Sequence, residues 1–256
     1  MQNQVAVVTG SAQGIGAAVT RILAEKGVIV AAIDNNAAKL HKTVDALQRA
    51  GYRVAAFPLD ITDSKAVASA IKQIEQQLGP IQYLVNVAGI LRMGEITALQ
   101  ENDWMATFAV NVHGVFYLSQ AVSKRMVERN SGAIVTVGSN AAKIPRVSMA
   151  AYAASKAAVV MFTKCLGLEL AKHHIRCNVV SPGSTDTDMQ RILWTSPGDA
   201  AKVIAGSPDT FKTGIPLQKI ATVSEIAAAV LFLLSEQASH ITMQDLCVDG
   251  GAILGV

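Results

Sequence analysis

Short apolar runs alternate with longer amphipathic segments along almost all of the 256-residue sequence. Runs rich in Val, Ile and Ala predict strands at 5–9, 28–33, 54–59, 83–86, 133–137, 175–181 and 245–248. Helical spacing follows at 15–26, 37–50, 65–78, 102–129, 151–172 and 224–234. Strands that are apolar on both faces are typical of a parallel sheet covered by helices on both sides. The alternation therefore predicts an α/β fold: a single doubly wound Rossmann-type domain with a seven-stranded parallel sheet and helices on both faces.

No linker rich in Gly, Pro or Ser divides the chain, and no internal repeat is visible, so residues 1–256 are expected to form one domain. The segment 184–216 loses periodicity and is punctuated by Pro and Gly residues. An irregular segment of this length inside a compact domain is usually functional. We interpret it as a substrate lid. The alternative is a surface insertion that has no function.

Composition and charge exclude several other classes of protein. Hydrophobic residues make up 51% and charged residues 16%, which is incompatible with a disordered chain. The net charge is only +3 and Lys and Arg do not cluster with aromatic residues, so no nucleic-acid partner is expected. The longest apolar run, 226–234, is too short for a bilayer, and the first residues do not resemble a signal peptide, so a cytoplasmic protein is expected. The three Cys and five His lack metal-ligand spacing, and no metal is expected.

A glycine cluster joins the first predicted strand to the first predicted helix. Gly10 permits a sharp turn, Gly14 lets a pyrophosphate approach the backbone, and Gly16 allows the helix to pack closely on the strand. The peptide N–H groups around Gln13 and Ile15 lie at the positive end of the helix dipole. Glycines also serve ordinary turns, but this position favours a dinucleotide phosphate site.

Two acidic residues end the second and third predicted strands. Asp34 stands where an acid binds the adenosine ribose hydroxyls of NAD, and its charge would repel the 2′-phosphate of NADP. No Arg stands beside it to reverse this preference. Asp60 is expected to contact adenine. The run Asp34-Asn35-Asn36 is also compatible with a turn and helix cap, but the predicted cofactor is NAD.

Tyr152 and Lys156 are four residues apart on one predicted helix and therefore share a face. A Tyr hydroxyl with a pKa of about 10 is a weak base at neutral pH, whereas a neighbouring ammonium favours the phenolate. This spacing alone is common on exposed helices. Here, however, Ser139, Asn111 and the segment 86–89 also follow predicted strands toward the carboxyl edge of the sheet, where ligands of such folds bind.

Together these motifs resemble the short-chain dehydrogenase/reductase family over essentially the whole chain. The matching residues are Thr9-Gly10-x-x-x-Gly14-Ile15-Gly16, then Asn111, Ser139, Tyr152 and Lys156, then Ser181-Pro182-Gly183 with Thr187. Asn86-Val87-Ala88-Gly89 departs from the family's Asn-Asn-Ala-Gly, which we interpret as a packing variation.

The resemblance implies that Tyr152 takes a hydroxyl proton while a hydride passes to NAD. It implies that Lys156 holds the nicotinamide ribose and lowers the tyrosine pKa, that Ser139 orients the substrate oxygen, and that Asn111 fixes a proton-relaying water. Cofactor contacts are implied for Asn86, Ala88, Gly89, Pro182, Gly183 and Thr187, besides the glycine loop, Tyr152 and Lys156. Members of the family commonly form homotetramers, and the apolar tail 250–256 is compatible with that, although a monomer could bury it too.

Three segments, 88–94, 176–191 and 238–242, are similar to family members that oxidise a dihydrodiol carboxylic acid to a catechol acid of siderophore biosynthesis. Such a substrate needs a cation, and the candidates are Arg92, Arg146 and Arg191, with Gln190 beside the last. Arg146 is favoured because its loop leads directly into the tyrosine helix. Each Arg is also compatible with a solvated surface position, and the segment 186–190 with a simple capping box.

Two alternative functions stay open at this point. One is another short-chain alcohol dehydrogenase or a 3-oxoacyl thioester reductase, although such reductases usually favour NADPH, which Asp34 disfavours. The other is a non-catalytic NAD-binding sensor, which would have no need of Asn111, Ser139, Tyr152 and Lys156 together.

Overall fold

A parallel sheet of seven strands runs through residues 1–192 and 198–256, which are the residues that the computed structural model describes. The strands are β1 (Val5–Thr9), β2 (Ile29–Asp34), β3 (Val54–Pro58), β4 (Ile81–Asn86), β5 (Gly132–Val137), β6 (Ile175–Pro182) and β7 (Asp245–Val248). Their order is β3-β2-β1-β4-β5-β6-β7, and every pairing is parallel. The predicted seven-stranded sheet is confirmed.

Helices cover both faces of this sheet. They are α1 (Gly14–Glu25), α2 (Ala37–Arg49), α3 (Ser64–Leu78), α4 (Glu101–Phe108), α5 (Val115–Arg129), α6 (Ala150–Leu170), α7 (Asp188–Arg191), α8 (Asp199–Ala205) and α9 (Val223–Leu234). One apolar core contains side chains of α1, α2 and α9, and the other contains side chains of α3, α5 and α6. Because successive side chains of a strand point to opposite faces, neighbours such as Val7 and Val8 belong to different cores. No helix within the described part of the chain is long and apolar enough to cross a membrane.

The helix predicted over 102–129 is interrupted. A π-helical turn, Ala109–Gly114, separates α4 from α5 and carries Asn111 into the interior. Such single turns are rare inside α-helices and recur at functional sites. Apolar periodicity could not show it, because the side-chain bonds of Asn111 that accompany the turn go to residues distant in the sequence.

The segment 184–216 is more structured than its composition suggests. It contains the short helices α7 and α8, which the sequence did not predict, and a 3₁₀ turn at Pro208–Thr210. Its residues 193–197 lie outside the described residues. Thr185 pairs with Ala221, and the Ile215 N–H donates to the Ile204 carbonyl, so both ends of the segment are held by backbone contacts.

Candidate active site

A cavity of about 770 Å³ opens at the carboxyl edge of the sheet. It lies at the junction of β1 and β4. From β1 the chain continues to β2 toward one edge of the sheet, and from β4 it continues to β5 toward the other edge. Reversals of this kind create the crevice in which open α/β sheets bind ligands. The cavity is lined by the glycine loop after β1, the ends of β2 to β6, the start of α6 and parts of the segment 184–216.

The glycine loop brings unpaired peptide groups to one end of this cavity. Gln13, the residue preceding α1, makes no side-chain capping bond within the described part of the chain. The first N–H groups of the helix can therefore bind a phosphate. Gly16 is packed so tightly that a Cβ there would lie 2.0 Å from the Gly10 carbonyl oxygen. Ile15 lines the cavity with these residues. The loop therefore fits the diphosphate of a dinucleotide through its own backbone.

The Thr9 hydroxyl ties the glycine loop to the neighbouring strand. The Thr9 Oγ1 accepts hydrogen bonds from the N–H groups of Val87 at 3.0 Å and Ala88 at 3.1 Å. A Cβ on Gly10 would approach the Ala88 backbone to 3.0 Å. This close fit places Ala88 and Gly89 on the cavity wall opposite the loop.

The Asp34 carboxylate accepts hydrogen bonds from the protein and also lines the cavity. Its Oδ2 accepts from the Ala12 N–H at 3.0 Å and its Oδ1 from the Asn36 N–H at 2.9 Å. Asn36 caps α2, so the turn-and-cap interpretation of this run describes part of its role. A carboxylate accepts about four hydrogen bonds, which leaves Asp34 capacity toward the cavity it lines. Asp60 lines the same region and accepts from the Thr62 hydroxyl at 2.8 Å.

Ser139, Tyr152 and Lys156 line the middle of the cavity together. Ser139 follows β5, and its hydroxyl accepts from the Ala141 N–H at 3.1 Å. The Nζ of Lys156 donates to the Val137 carbonyl at 2.8 Å and lies 5.7 Å from the centre of the Tyr152 ring. The four-residue spacing on α6 thus puts the two side chains on the face that meets the end of β5.

Burial dominates the acidity of both of these groups. It lowers the pKa of the Lys156 ammonium to about 8. It raises the pKa of Tyr152, and a hydrogen bond with Ser139 opposes that rise. The pKa of the tyrosine therefore depends on what binds beside it, since desolvation by the protein alone favours the neutral phenol.

Asn111 lies beneath the cavity and is committed to protein partners. Its Oδ1 accepts from the Ile90 N–H at 2.8 Å, and its Nδ2 donates to the Ile90 carbonyl and the Ser155 hydroxyl, both at 3.0 Å. The Ser155 hydroxyl donates in turn to the Tyr152 carbonyl. The side chain thus clamps the loop after β4 to the tyrosine helix, and its amide has both atoms occupied by protein.

Asn86 does not reach the cavity either. It is buried, and its Nδ2 donates to the Ser119 hydroxyl at 3.1 Å and to that of Thr136 at 3.5 Å. Its Oδ1 has no hydrogen-bond partner among the described residues. The structure therefore places Asn86 between β4, β5 and α5 rather than beside a cofactor.

The end of β6 and the start of the predicted lid together supply the next part of the wall. Pro182, Gly183, Thr187 and Gln190 all line the cavity. The Thr187 hydroxyl accepts from the Gln190 N–H at 3.2 Å and so caps α7. Arg191, in contrast, is exposed and paired with Asp186 through two hydrogen bonds of 2.9 and 3.1 Å. It does not join the cavity-lining residues.

The two remaining Arg candidates are placed differently. Arg92 is exposed, and its Nε lies 3.6 Å from the Asp103 carboxylate, away from the cavity lining. Arg146 is half-buried and lines the cavity. Its guanidinium has no hydrogen bond or ion pair with any residue in 1–192 or 198–256. Burial lowers its pKa, while the charge of Asp249 opposes that change.

Three lysines of the cavity wall escaped the sequence analysis: Lys39, Lys202 and Lys212. Lys39 donates to the Gln13 side chain at 2.7 Å and lies 3.9 Å from Asp188, so it joins the glycine loop to α7. Lysines are usual on surface helices and loops, and nothing in their spacing marks these three. Only the folded chain brings them to the site.

Comparison with known proteins adds independent information. A model of the family described as short chain dehydrogenase matches residues 4–197. A 2,3-dihydro-2,3-dihydroxybenzoate dehydrogenase of Bacillus subtilis (strain 168) is 60% identical over 256 residues, covering 100% of this chain and 98% of that protein. The protein of the same name from Escherichia coli (strain K12) is 46% identical over 248 residues, covering 97% of this chain and 96% of that protein.

A similar solved structure is the gluconate 5-dehydrogenase of Burkholderia cenocepacia in complex with NADP and tartrate. It has a TM-score of 0.92 and 31% sequence identity, covering 100% of this chain and 97% of that one. The similarity in sequence therefore extends along the whole chain, including the segment 184–216, and the similarity in fold covers both described ranges.

Proposed function

The chain belongs to the short chain dehydrogenase family, and we propose that it oxidises 2,3-dihydro-2,3-dihydroxybenzoate to 2,3-dihydroxybenzoate with NAD. Full-length similarity to two enzymes named for this substrate supports the choice. The observation in the site that carries the proposal is Arg146, a half-buried guanidinium that shares a cavity with Tyr152 and lacks a partner among the described residues. A buried charge of this kind calls for an anion, and the carboxylate of the substrate is one.

The cofactor part of the proposal depends on Asp34. Its carboxylate lies at the end of β2, on the same cavity wall as the free N–H groups of α1. A ribose with two hydroxyl groups can donate to a carboxylate, whereas a 2′-phosphate would place like charges side by side. Lys39 offers a positive charge nearby, but Asp188 and Gln13 already engage it. These contacts favour NAD over NADP.

In the proposed mechanism the residues of α6 and β5 handle the proton. The bound cofactor supplies an acceptor for the hydride from the ring carbon that bears the reacting hydroxyl. Tyr152, as phenolate, accepts the hydroxyl proton, and Ser139 donates a hydrogen bond that orients the same oxygen. Lys156 provides the positive charge that favours the phenolate once a cofactor is bound, and Asn111 holds the tyrosine helix against the loop after β4.

The chemistry of the product favours this direction of reaction. Loss of a hydride from carbon and a proton from oxygen turns the alcohol into a ketone. That ketone tautomerises to a catechol, and aromatisation draws the oxidation forward. The catechol acid would serve catecholate siderophores, as the resemblance in sequence implies.

The experiment that tests the proposal follows NADH formation by absorbance and identifies the product by mass. The purified protein is given the dihydrodiol acid, a neutral dihydrodiol of the same ring, and a 3-oxoacyl thioester with NADPH. We expect the highest kcat/KM with the acid and NAD, and a catechol acid as product. Faster reduction of the thioester would overturn the proposal in favour of the reductase alternative, and no turnover of any of the three would favour a sensor.

We also propose that the protein works as a homotetramer in the cytoplasm. Large apolar side chains on the outer faces of the middle helices support association, since Met105, Met161 and Leu168 are each more than half exposed. Light scattering on the purified protein tests this, and a monomeric mass would contradict it.

A further inference from the structure

The loop between α8 and α9 brings Lys212 to the end of the cavity that also contains Arg146, which we call the substrate end. Ser207 and Lys212 exchange two backbone hydrogen bonds of 2.9 Å, which closes the intervening residues into a tight loop. Gly206 has a φ of +89°, and a Cβ there would lie 2.5 Å from the Lys212 carbonyl oxygen. The position of the Lys212 backbone is therefore fixed, because it is hydrogen-bonded to Ser207 at the base of the loop.

The base of this loop is attached to the rest of the fold. The Ile215 N–H donates to the Ile204 carbonyl at 2.8 Å, and Ile215 itself is buried. The Thr213 hydroxyl donates to the Ala252 carbonyl at 3.0 Å, which links the loop to the turn after β7. These contacts hold Lys212 at the mouth of the cavity, whose wall it shares with Arg146.

The cations of the cavity wall differ in whether the protein neutralises them. Lys202 forms an ion pair of 2.8 Å with Asp199, and Lys39 is engaged by Gln13 and Asp188. Lys212, like Arg146, has no hydrogen-bonding or ion-pair partner for its side-chain charge in 1–192 or 198–256.

The two unpartnered cations also influence each other. Lys212 is exposed, but the cavity wall removes part of the water around its ammonium, and this desolvation and the charge of Arg146 both lower its pKa. Asp249 is the acid that acts on Arg146, but its carboxylate is engaged by the Asn140 side chain at 3.2 Å and the Gly251 N–H at 2.9 Å. Asp249 therefore offsets the charge of Arg146 from a distance without forming an ion pair, and two like charges on one wall favour an anionic ligand between them.

We propose that Lys212 is a specificity-determining residue that binds the substrate carboxylate together with Arg146. This inference rests on the proposed function and deepens it, because it assigns a second cation to the acid group. A carboxylate has two oxygens and accepts from both side chains, which also removes their mutual repulsion. The loop that carries Lys212 is then stabilised over the site by an acidic substrate and not by a neutral one.

The test compares Lys212→Gln with Lys172→Gln, a matched loss of charge on an exposed residue at the opposite edge of the sheet. With the dihydrodiol acid we expect Lys212→Gln to lower kcat/KM about tenfold, mainly through KM. This is the lower range for a charge-assisted bond, because Lys212 is exposed to solvent. The neutral dihydrodiol and the KM for NAD should be nearly unchanged, and Lys172→Gln should resemble the unmodified protein. Lys212→Arg should keep most of the kcat/KM for the acid that Lys212→Gln loses.

Three results separate the possible failures. If Lys212→Gln lowers kcat/KM equally for the acid and for the neutral dihydrodiol, Lys212 stabilises only the loop, and the inference is overturned. If the KM for NAD rises instead, the lysine binds the cofactor phosphates, which also overturns it. If the unmodified protein does not oxidise the acid, the proposed function has failed. The inference is then judged by calorimetry, in which Lys212→Gln should weaken the binding of benzoate but not that of phenol, and equal binding of benzoate by both proteins would overturn it.

A double variant gives a further check. If both cations hold one carboxylate, the losses from Lys212→Gln and Arg146→Ala should not add, since residues that share one partner are coupled. Strictly additive losses for the acid would show that the two side chains bind separate groups, against the proposal.

Discussion

The two ends of the cavity are built in different ways. At the cofactor end, the Asp34 and Thr9 side chains accept hydrogen bonds from backbone N–H groups of the glycine loop and of the segment after β4. A single added methyl group at Gly16 would clash at 2.0 Å. At the substrate end, Arg146 and Lys212 come from loops and face the cavity without a partner in the described part of the chain.

This difference indicates how each end recognises its ligand. The cofactor end is preorganised, since the groups that would bind a diphosphate and a ribose are already oriented by the sheet. The substrate end carries charges whose interactions are completed only by a ligand. Tyr152 and Lys156 lie between the two ends on α6, the helix that borders both. Variants at the middle, the substrate end and the cofactor end should therefore affect different measurements.

The largest effect is expected in the middle of the cavity. Tyr152→Phe removes the group that exchanges the proton, so kcat should fall by about 10²–10⁴-fold, the usual contribution of a general acid or base. Binding of NAD, followed by calorimetry, should change little because the cofactor end is built independently. Tyr117→Phe, on α5 and outside the cavity lining, serves as the control. Near-normal turnover by Tyr152→Phe would show that another residue moves the proton.

The next largest effect is expected at the substrate end. Arg146→Ala should lower kcat/KM for the dihydrodiol acid about tenfold to a hundredfold, as for loss of a charge-assisted hydrogen bond. A neutral dihydrodiol should be affected much less. Arg146→Lys should recover only part, because lysine lacks the bidentate fork.

Arg92→Ala provides the matched comparison for this prediction. Arg92 lies near Asp103 outside the cavity, so its removal should leave the ratio of kcat/KM for the acid and neutral substrates unchanged. If that ratio changes in Arg92→Ala and not in Arg146→Ala, the assignment of the two residues is reversed.

A smaller effect is expected at the cofactor end. Asp34→Ala removes the charge that repels a 2′-phosphate, so the preference for NAD over NADP should weaken by about tenfold. It also removes two backbone hydrogen bonds at Ala12 and Asn36, so part of the change should be a higher KM for both cofactors. Asp45→Ala, on the exposed side of α2, changes the net charge equally and should not alter the preference. Equal efficiency of the unmodified enzyme with both cofactors would contradict the role of Asp34.

The smallest effect concerns the dependence of stability on pH. Burial lowers the pKa of Lys156 to about 8, well below the value of an unfolded lysine. Between these two pKa values the unfolded state binds more protons than the folded state, so the contribution of Lys156 to the free energy of unfolding rises with pH. From about pH 7 to about pH 9 the cofactor-free enzyme should gain about 1 kcal/mol relative to Lys156→Met.

Urea denaturation at both pH values measures this difference. Burial raises the pKa of Tyr152 and Cys177, so these groups lower stability as the pH rises through the range where they ionise in the unfolded chain. Because they are present in both proteins, their effect largely cancels. Lys172→Met, at an exposed position, should show no such difference in slope. Parallel pH profiles for the enzyme and Lys156→Met would mean that Lys156 is not desolvated in solution.

Apolar periodicity, glycine positions and helical spacing were sufficient to predict the sheet and most helices. They also predicted the site residues that lie on those elements. Continuous apolar runs such as Val5–Thr9 and Gly132–Val137 can only be buried on both faces, and the observed strands agree with that. The positions of Gly10, Gly14 and Gly16 follow from the chain itself, because a tight strand-to-helix turn has few solutions. The pair Tyr152 and Lys156 shares a face by helical geometry alone.

Contacts between distant segments decided the rest. The π-helical turn around Asn111 is paired with Ile90 and Ser155, Asn86 is buried against Ser119, and neither arrangement has a local signature. The sequence offered three arginines and favoured Arg146 only by its place before the tyrosine helix. The packed loops place Arg146 on the cavity wall, whereas Arg92 and Arg191 have acidic partners outside it. Lys212 reaches the site because Gly206 and Ser207 close its loop. Periodicity records which face of an element is buried, whereas the distance between two charged side chains is set by how whole elements pack.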